Sequence, residues 1–218
     1  MTDAVVFDLD GVIVDSEARW DEARRAVAAE HGGTWKPDAT RAMMGMSAPE
    51  WSRYLSDELG VRLAPEAVND AVVAAMAGGY RRGLPLLPGA VDAVRALADR
   101  WRLGVASSAN RELIELVLEE AGIAAAFDAV VASEEVARGK PAPDVYLEVA
   151  RRLGVDPARC LAVEDSANGL RAAAAAGMVV VAVPNPHFPP DADALALAAA
   201  SVATPGEVTP ELVEAVGP

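Results

Sequence analysis

The sequence predicts an α/β fold: a doubly wound parallel sheet with a small helical domain inserted after its first strand. Three observations predict it. Short, Val-rich apolar runs at residues 4–7, 103–106, 129–132, 161–163 and 179–183 have the length and unbroken apolar character of strands buried on both faces. Helical patterns separate the last four runs, and strict alternation of strand and helix means βαβ units with right-handed crossovers. Between Glu17 and Leu84 no strong strand signal occurs, so that stretch reads as helix alone.

The first run, Ala4-Val5-Val6-Phe7, ends in Asp8-Leu9-Asp10-Gly11, where a buried strand emerges at the sheet edge. Ser16 or Asp15 can cap a helix through Trp20, Ala23, Val27 and Ala28 that ends near His31-Gly32-Gly33. Helical patterns follow from Pro49 to Leu59 and from Pro65 to Met76, before a turn-rich stretch from Gly78 to Pro85. Hinges are expected near Asp15 and at Gly83 to Pro85, which gives residues 1–15 and 85–218 to the core and 16–84 to the insert. Beyond Pro88 helices are expected over 89–100, 111–121, 143–153 and 168–176, each followed by the next strand. The tail from Asp191 is Ala-rich, has a weak helical pattern and is assigned no chemistry.

At 218 residues the chain suffices for one sizeable core and a small accessory domain. It is 52% hydrophobic and 24% charged, which excludes wholesale disorder. The net charge of −14 argues against a nucleic-acid or anionic-membrane partner, since either needs clustered Lys and Arg. The single cysteine, Cys160, allows no internal disulfide and reads as a core residue at a strand start. Met1-Thr2-Asp3 carries no basic region, and the longest apolar stretch, Ala172 to Pro184, is too short to cross a bilayer. A cytoplasmic protein is expected, monomeric or a weak homodimer.

Chemistry is sought at the carboxyl ends of the strands, because ligands of open α/β sheets bind in the crevice outside them. Asp8 and Asp10 lie there; a pair spaced in this way suits a hard cation such as Mg²⁺, although Asp is also a common turn residue. Ser107, Ser108 and Asn110 follow the second strand, where a hydroxyl and a helix N-terminus together suit phosphate oxygens. Asn110 reads equally as a helix cap. After the third strand, Gly139-Lys140-Pro141-Ala142-Pro143 presents a lysine from an extended, proline-stiffened loop. Lys36 and Lys140 are the only lysines in a chain that otherwise uses Arg, which points to a compact point charge at Lys140. Glu164 and Asp165 end the fourth strand, and adjacent acids facing Asp8 would repel without a cation between them. Gly169 reads either as a close-packing point or as one more small residue of an Ala-rich helix.

Asp8-Leu9-Asp10-Gly11-Val12-Ile13-Val14-Asp15-Ser16, followed in order by Ser107, Lys140 and Glu164-Asp165, resembles the four motifs of the haloacid dehalogenase-like hydrolases. The likeness is to the phosphatase and phosphomutase branch with a helical cap, and it spans residues 4 to 183. It implies a Rossmann-like core, with Asp8 as the nucleophile that becomes an aspartyl-phosphate and Asp10 as the acid/base. Ser107 and Lys140 would hold phosphate oxygens. Asp8, the backbone carbonyl of Asp10, Glu164 and Asp165 would hold Mg²⁺. The implied partner is a small phosphorylated metabolite of sugar-phosphate, polyol-phosphate or phosphoglycolate type, and Ser16, Glu17, Gly45, Ser47, Ser108 and Asn110 are the expected substrate contacts.

Departures within the family narrow the reading. Asp10 argues against the dehalogenase branch, and Lys36, beside Pro37, argues poorly for the phosphonate-cleaving one. The β-phosphoglucomutase-like branch has a His where Trp20 stands and a Lys-Gly-x-Ser-Arg segment where Met44-Gly45-Met46-Ser47-Ala48 stands. Water is then the expected acceptor, and the expected activity is a phosphatase. The alternatives are a phosphosugar mutase and a catalytically silent phosphate-binding protein on the same fold. Trp51 and Tyr54 read as an apolar lid over the substrate or as core residues at helical spacing.

Overall fold

The computed structural model describes residues 1–43, 46–186 and 188–218. Six parallel strands form one sheet: β1 (Ala4–Phe7), β2 (Arg102–Ser107), β3 (Ala129–Ala132), β4 (Cys160–Glu164), β5 (Val179–Ala182) and β6 (Ala200–Ser201). Their spatial order is β3-β2-β1-β4-β5-β6. Phe7 stands beside Val105 of β2 on one side and Val163 of β4 on the other. The chain leaves β1 in one direction through β2 and β3, then returns to its other side for β4 to β6. That reversal opens a crevice at the carboxyl end of β1, the place where such sheets bind ligands.

β1 is apolar throughout because both of its faces are covered. Val5 and Phe7 belong to a buried cluster with Val94, Leu97, Ile114 and Val213, whereas Ala4 and Val6 pack with Val145, Val149 and Leu170 on the opposite face. Cys160 opens β4 and is buried. The Ala-rich tail adds the short edge strand β6, which has too few residues to register as a strand in the sequence.

The segment between β1 and β2 begins with four helices: α1 (Glu17–Glu30), α2 (Ala39–Met43), α3 (Ala48–Arg53) and α4 (Pro65–Arg82). The core helices are α5 (Ala90–Ala98), α6 (Arg111–Glu120), α7 (Asp144–Leu153), α8 (Ala167–Ala175), α9 (Ala192–Leu195) and α10 (Pro210–Val216). The two crossings between the helical segment and the sheet run side by side. Asp15 N–H donates to Pro85 O at 2.8 Å and Leu87 N–H to Ile13 O at 2.9 Å. Among the described residues, no helix is long and apolar enough to cross a membrane.

Two helices differ from the sequence expectation. The helix read over 49–59 is α3 followed by a π-helical turn at Tyr54–Glu58. The Ser52 and Ser56 hydroxyls there donate back to the carbonyls of Ala48 and Ser52, a bond that competes with the helical ladder and bends it. α4 runs on through Gly78 and Gly79 to Arg82, where the glycines read as a turn. Its buried stripe of Val68, Val72, Val73, Met76, Gly79 and Tyr80 keeps helical spacing, and burial of the Tyr80 ring outweighs the low helix propensity of two glycines.

The helical continuation is testable at Gly79, where an added Cβ meets nothing within 4 Å. Gly79→Ala is expected to raise stability in urea denaturation by roughly 0.5–1 kcal/mol, the helix-interior difference between the two residues. A loss of stability would mean that the segment is not helical.

Candidate active site

The paired register of β1 and β4 brings their following acids together. The Asp8 N–H donates to Val163 O at 3.0 Å, so Asp8 leaves the sheet beside Glu164, and both side chains are buried. The loop after β3 supplies the charge that makes this tolerable. Lys140, itself buried, places Nζ 3.1 Å from Asp8 Oδ1 and 2.5 Å from Glu164 Oε1. The same Nζ donates to Ala106 O at 3.1 Å and lies 5.1 Å from the centroid of the Tyr146 ring. Burial alone would disfavour the ammonium, but the Asp8 and Glu164 carboxylates outweigh it and hold the Lys140 pKa above its ordinary value.

Glu164 is the most heavily bonded group of the site. Oε1 accepts from Lys140 and, at 2.9 Å, from the Tyr146 hydroxyl. Oε2 accepts from the N–H groups of Asp165 and Ser166 and from the Ser166 hydroxyl, at 3.0–3.1 Å. Gly169 makes room for it: a Cβ there would fall 1.8 Å from Glu164 Oε1. Gly11 does the same for Asp165. Its φ of +76° is a left-handed conformation, and a Cβ would sit 1.9 Å from Asp165 Oδ2. Of the two sequence readings of Gly169, the close-packing one holds.

Asp8, Glu164 and Asp165 each bring a carboxylate oxygen within 4.8 Å of the others. Asp8 Oδ1 is buried and accepts no well-directed hydrogen bond, and no bond among the described residues reaches the Asp165 carboxylate. Three buried acids around one ammonium, with acceptor oxygens unused, fit a hard divalent cation. Burial first, then the neighbouring charges of Glu164 and Asp10, raise the Asp8 pKa well above the ordinary carboxylate value in spite of Lys140. Burial and the charges of Glu164 and Asp8 do the same to Asp165.

Asp10 is set apart from this cluster. Its Oδ1 accepts from the Ser16 hydroxyl and, at 3.1 Å, from Trp20 Nε1. Burial raises its pKa although both bonds oppose the shift. Ser16 therefore precedes α1 without capping it through its side chain, and it is fully buried behind Asp10 rather than set in a substrate cavity. Trp20, noted in the sequence as a helix position and as a replacement, orients Asp10 together with Ser16.

A cavity of about 700 Å³ lies over these residues, with Asp8, Asp10, Lys140 and Asp165 on the sheet side. Glu17, Trp20, Arg24, Arg41 and Trp51 line it from the helical segment, and Ser108 and Asp191 add to its rim. Trp51 thus serves both as core and as cavity wall, while Tyr54 is half-buried against the core. Ser107 is fully buried beneath Ser108, its hydroxyl accepting from Ala109 N–H at 3.0 Å. Of the amides at the start of α6, that of Arg111 donates to Glu134 Oε1 at 3.1 Å.

Besides Ser16, two expected substrate contacts do not line this cavity and a third lies outside the described residues. Ser47 stands at the start of α3, where the Glu50 carboxylate accepts from both its N–H and its hydroxyl. Asn110 lines a separate cavity of about 330 Å³ and bridges the helical segment to the core by donating to Asn69 Oδ1 and Glu134 Oε2. Both are polar residues at helix starts, where local bonding competes with ligand binding. Gly45 lies outside the described residues. Lys36 pairs with Glu58 on the exposed surface at 3.1 Å. Asp191, given no chemistry in the sequence, both rims the cavity and pairs with Arg171 at 2.7 Å.

A parallel sheet whose edge gathers a buried aspartate, a lysine and an acid pair defines a hydrolase class: over residues 2–177 the sequence matches the haloacid dehalogenase-like hydrolases, and the chain belongs to that family. It is 35% identical to hexitol phosphatase B of Escherichia coli strain K12 over 190 residues, 84% of each protein. In structure it resembles CbbY from Rhodobacter sphaeroides in complex with phosphate, with a TM-score of 0.85, 26% identity and coverage of 95% of this chain and 96% of that one. It also resembles a putative beta-phosphoglucomutase from Thermotoga maritima, with a TM-score of 0.74, 31% identity and coverage of 98% and 99%.

The raised acids set the sign of a pH effect. In the fold, Asp8 and Asp165 keep protons that the unfolded chain releases, so stability falls as pH rises from the ordinary carboxylate range through their raised values. In EDTA the Tm is expected to fall as pH rises above the ordinary carboxylate range, with a shallower slope in Asp165→Asn. Mg²⁺ should raise Tm most at the higher pH, where it competes with the fewest protons. A slope unchanged in Asp165→Asn, or no Mg²⁺ effect at the higher pH, would contradict this electrostatic account.

Proposed function

We propose that the chain is a phosphatase that transfers the phosphoryl group of a small phosphorylated metabolite to Asp8 and then to water. The observation that carries this is the Asp8–Lys140–Glu164 arrangement: a buried carboxylate on a cavity floor whose Oδ1 lies 3.1 Å from an ammonium that Glu164 fixes. The hexitol phosphatase relative supports a sugar or polyol phosphate as the substrate class. Residues 16–84 are read as a cap whose inner face completes the cavity and excludes bulk water.

An Asp8 oxygen attacks phosphorus as the bond to the leaving oxygen breaks, and Asp10 gives that oxygen its proton. Asp10 then takes a proton from the water that attacks the phosphoenzyme, releasing phosphate and regenerating Asp8. The raised pKa of Asp10 suits the first half, and its bonds to Ser16 and Trp20 keep the carboxyl aimed throughout both. Lys140, and Ser108 at the rim, stand where phosphoryl oxygens arrive, with Ser107 supporting that loop from below. Asp8, Asp165 and the backbone carbonyl of Asp10 would hold Mg²⁺, with Glu164 positioning Lys140 and the neighbouring backbone. Bound there, Mg²⁺ supplies charge neutralisation to the phosphoryl oxygens.

Water is favoured over a sugar as the acceptor. Trp20 Nε1 is bonded to Asp10 and the Ser47 hydroxyl to Glu50, so neither is left to orient a sugar intermediate.

Phosphate release from hexitol, hexose and glycerol phosphates should require Mg²⁺, cease in EDTA, and fall by about 10³-fold or more in Asp8→Asn. Turnover that survives Asp8→Asn would refute the assignment. So would isomerisation of a hexose phosphate without phosphate release.

A further inference from the structure

Arg24 is a cavity residue to which hydrolysis at Asp8 gives no role. It lies on α1, is buried, and lines the same cavity as Asp8 from the helical side. Its guanidinium carbon sits 4.9 Å from the Trp20 ring centroid and 5.1 Å from that of Trp51. The two indoles are tilted by 57° at 6.0 Å, so they cradle the cation between them. Trp20 is fixed in turn by its bond to Asp10. Stacking on rings holds a guanidinium in place and leaves its in-plane N–H donors free.

Those donors have no partner here. Arg24 Nε is buried without a hydrogen bond, and among the described residues Arg24 joins no ion pair within 4 Å. Glu17, Asp10 and Asp21 surround it electrostatically, yet none bonds it, and burial still pushes its pKa down to about 10. Arg41, exposed, lines the same side of the cavity. A buried, unpaired cation is costly, and it persists where a ligand supplies the missing charge.

We infer that Arg24 is a specificity-determining residue that binds a second anionic group, a carboxylate or a second phosphate, on the leaving-group end of the substrate. The inference rests on the phosphatase reading and narrows it. A phosphoryl group seated at Asp8 and Lys140 directs the leaving group toward the helical side, where the guanidinium is preorganised and where a neutral polyol leaves it unpaired. Phosphorylated acids and bisphosphates are then preferred to the neutral compounds they resemble.

Two matched pairs test it: phosphoglycerate against glycerol phosphate, and fructose bisphosphate against fructose monophosphate, with wild type, Arg24→Lys and Arg24→Gln. The first pair reads carboxylate and the second reads phosphate as the second group. In at least one pair wild type should prefer the anionic member by about tenfold or more in kcat/KM. Arg24→Gln should erase that preference, chiefly through KM, and Arg24→Lys should keep part of it because the charge survives without the planar fork. A wild type without preference, or variants that weaken both members of a pair equally, would overturn the inference while leaving Asp8-dependent phosphate release intact. If wild type releases no phosphate from any compound, the phosphatase reading fails, and calorimetric binding of the same four compounds to wild type and Arg24→Gln decides the Arg24 subsite. Equal affinities within each pair would then overturn it.

Discussion

The site depends on the balance of charge around one ammonium. Lys140 touches Asp8 and Glu164 and is buried with both. Removing its charge would leave carboxylates facing each other in a medium that screens them poorly, at a cost far above that of any exposed ion pair on the surface. The other elements act to keep these atoms together. Parallel pairing of β1 with β4 sets Asp8 beside Glu164. Tyr146 of α7 and the backbone N–H groups of Asp165 and Ser166 occupy the remaining lone pairs of Glu164, so the glutamate works as a fixed brace for the lysine.

The balance remains incomplete on the acid side. Asp8 and Asp165 are raised well above ordinary carboxylates, and both line the cavity where a phosphoryl group with its own negative charge must enter. A cation resolves both problems at once, by relieving the repulsion and reversing the local sign for the substrate. The overall charge of −14 is therefore no obstacle to an anionic substrate, because the field at this edge is set by a few buried groups. Arg24, on the helical side, gives the cavity a second positive pole.

Much of this was legible in the sequence because strand ends announce themselves. An apolar run buried on both faces cannot carry acids, so Asp8, Asp10, Glu164 and Asp165 had to lie where their strands end, and a lysine followed by Pro141 and Pro143 had to be displayed from a loop. Other features were hidden. Arg24 sits beside Arg25 in a helix and looks like part of a solvated face; only the packing of Trp20 and Trp51 distinguishes them. Ser47 and Asn110 are polar residues at helix starts, whose local bonds tertiary structure alone could separate from ligand contacts. Gly78 and Gly79 read as a turn because their low propensity is local, while the burial of Tyr80 that outweighs it is not. The weak pattern of the tail concealed both β6 and the cavity position of Asp191.

The most direct measurement is to locate the covalent phosphate. Rapid acid quench of enzyme mixed with a turned-over phosphate ester and Mg²⁺, followed by peptide mass mapping, reads which side chain carries the phosphoryl group. The account predicts an acyl phosphate on the peptide holding Asp8, formed and lost at rates that support turnover. A phosphoryl group on any other residue, or steady phosphate release with Asp8 never modified in the pre-steady state, would contradict it.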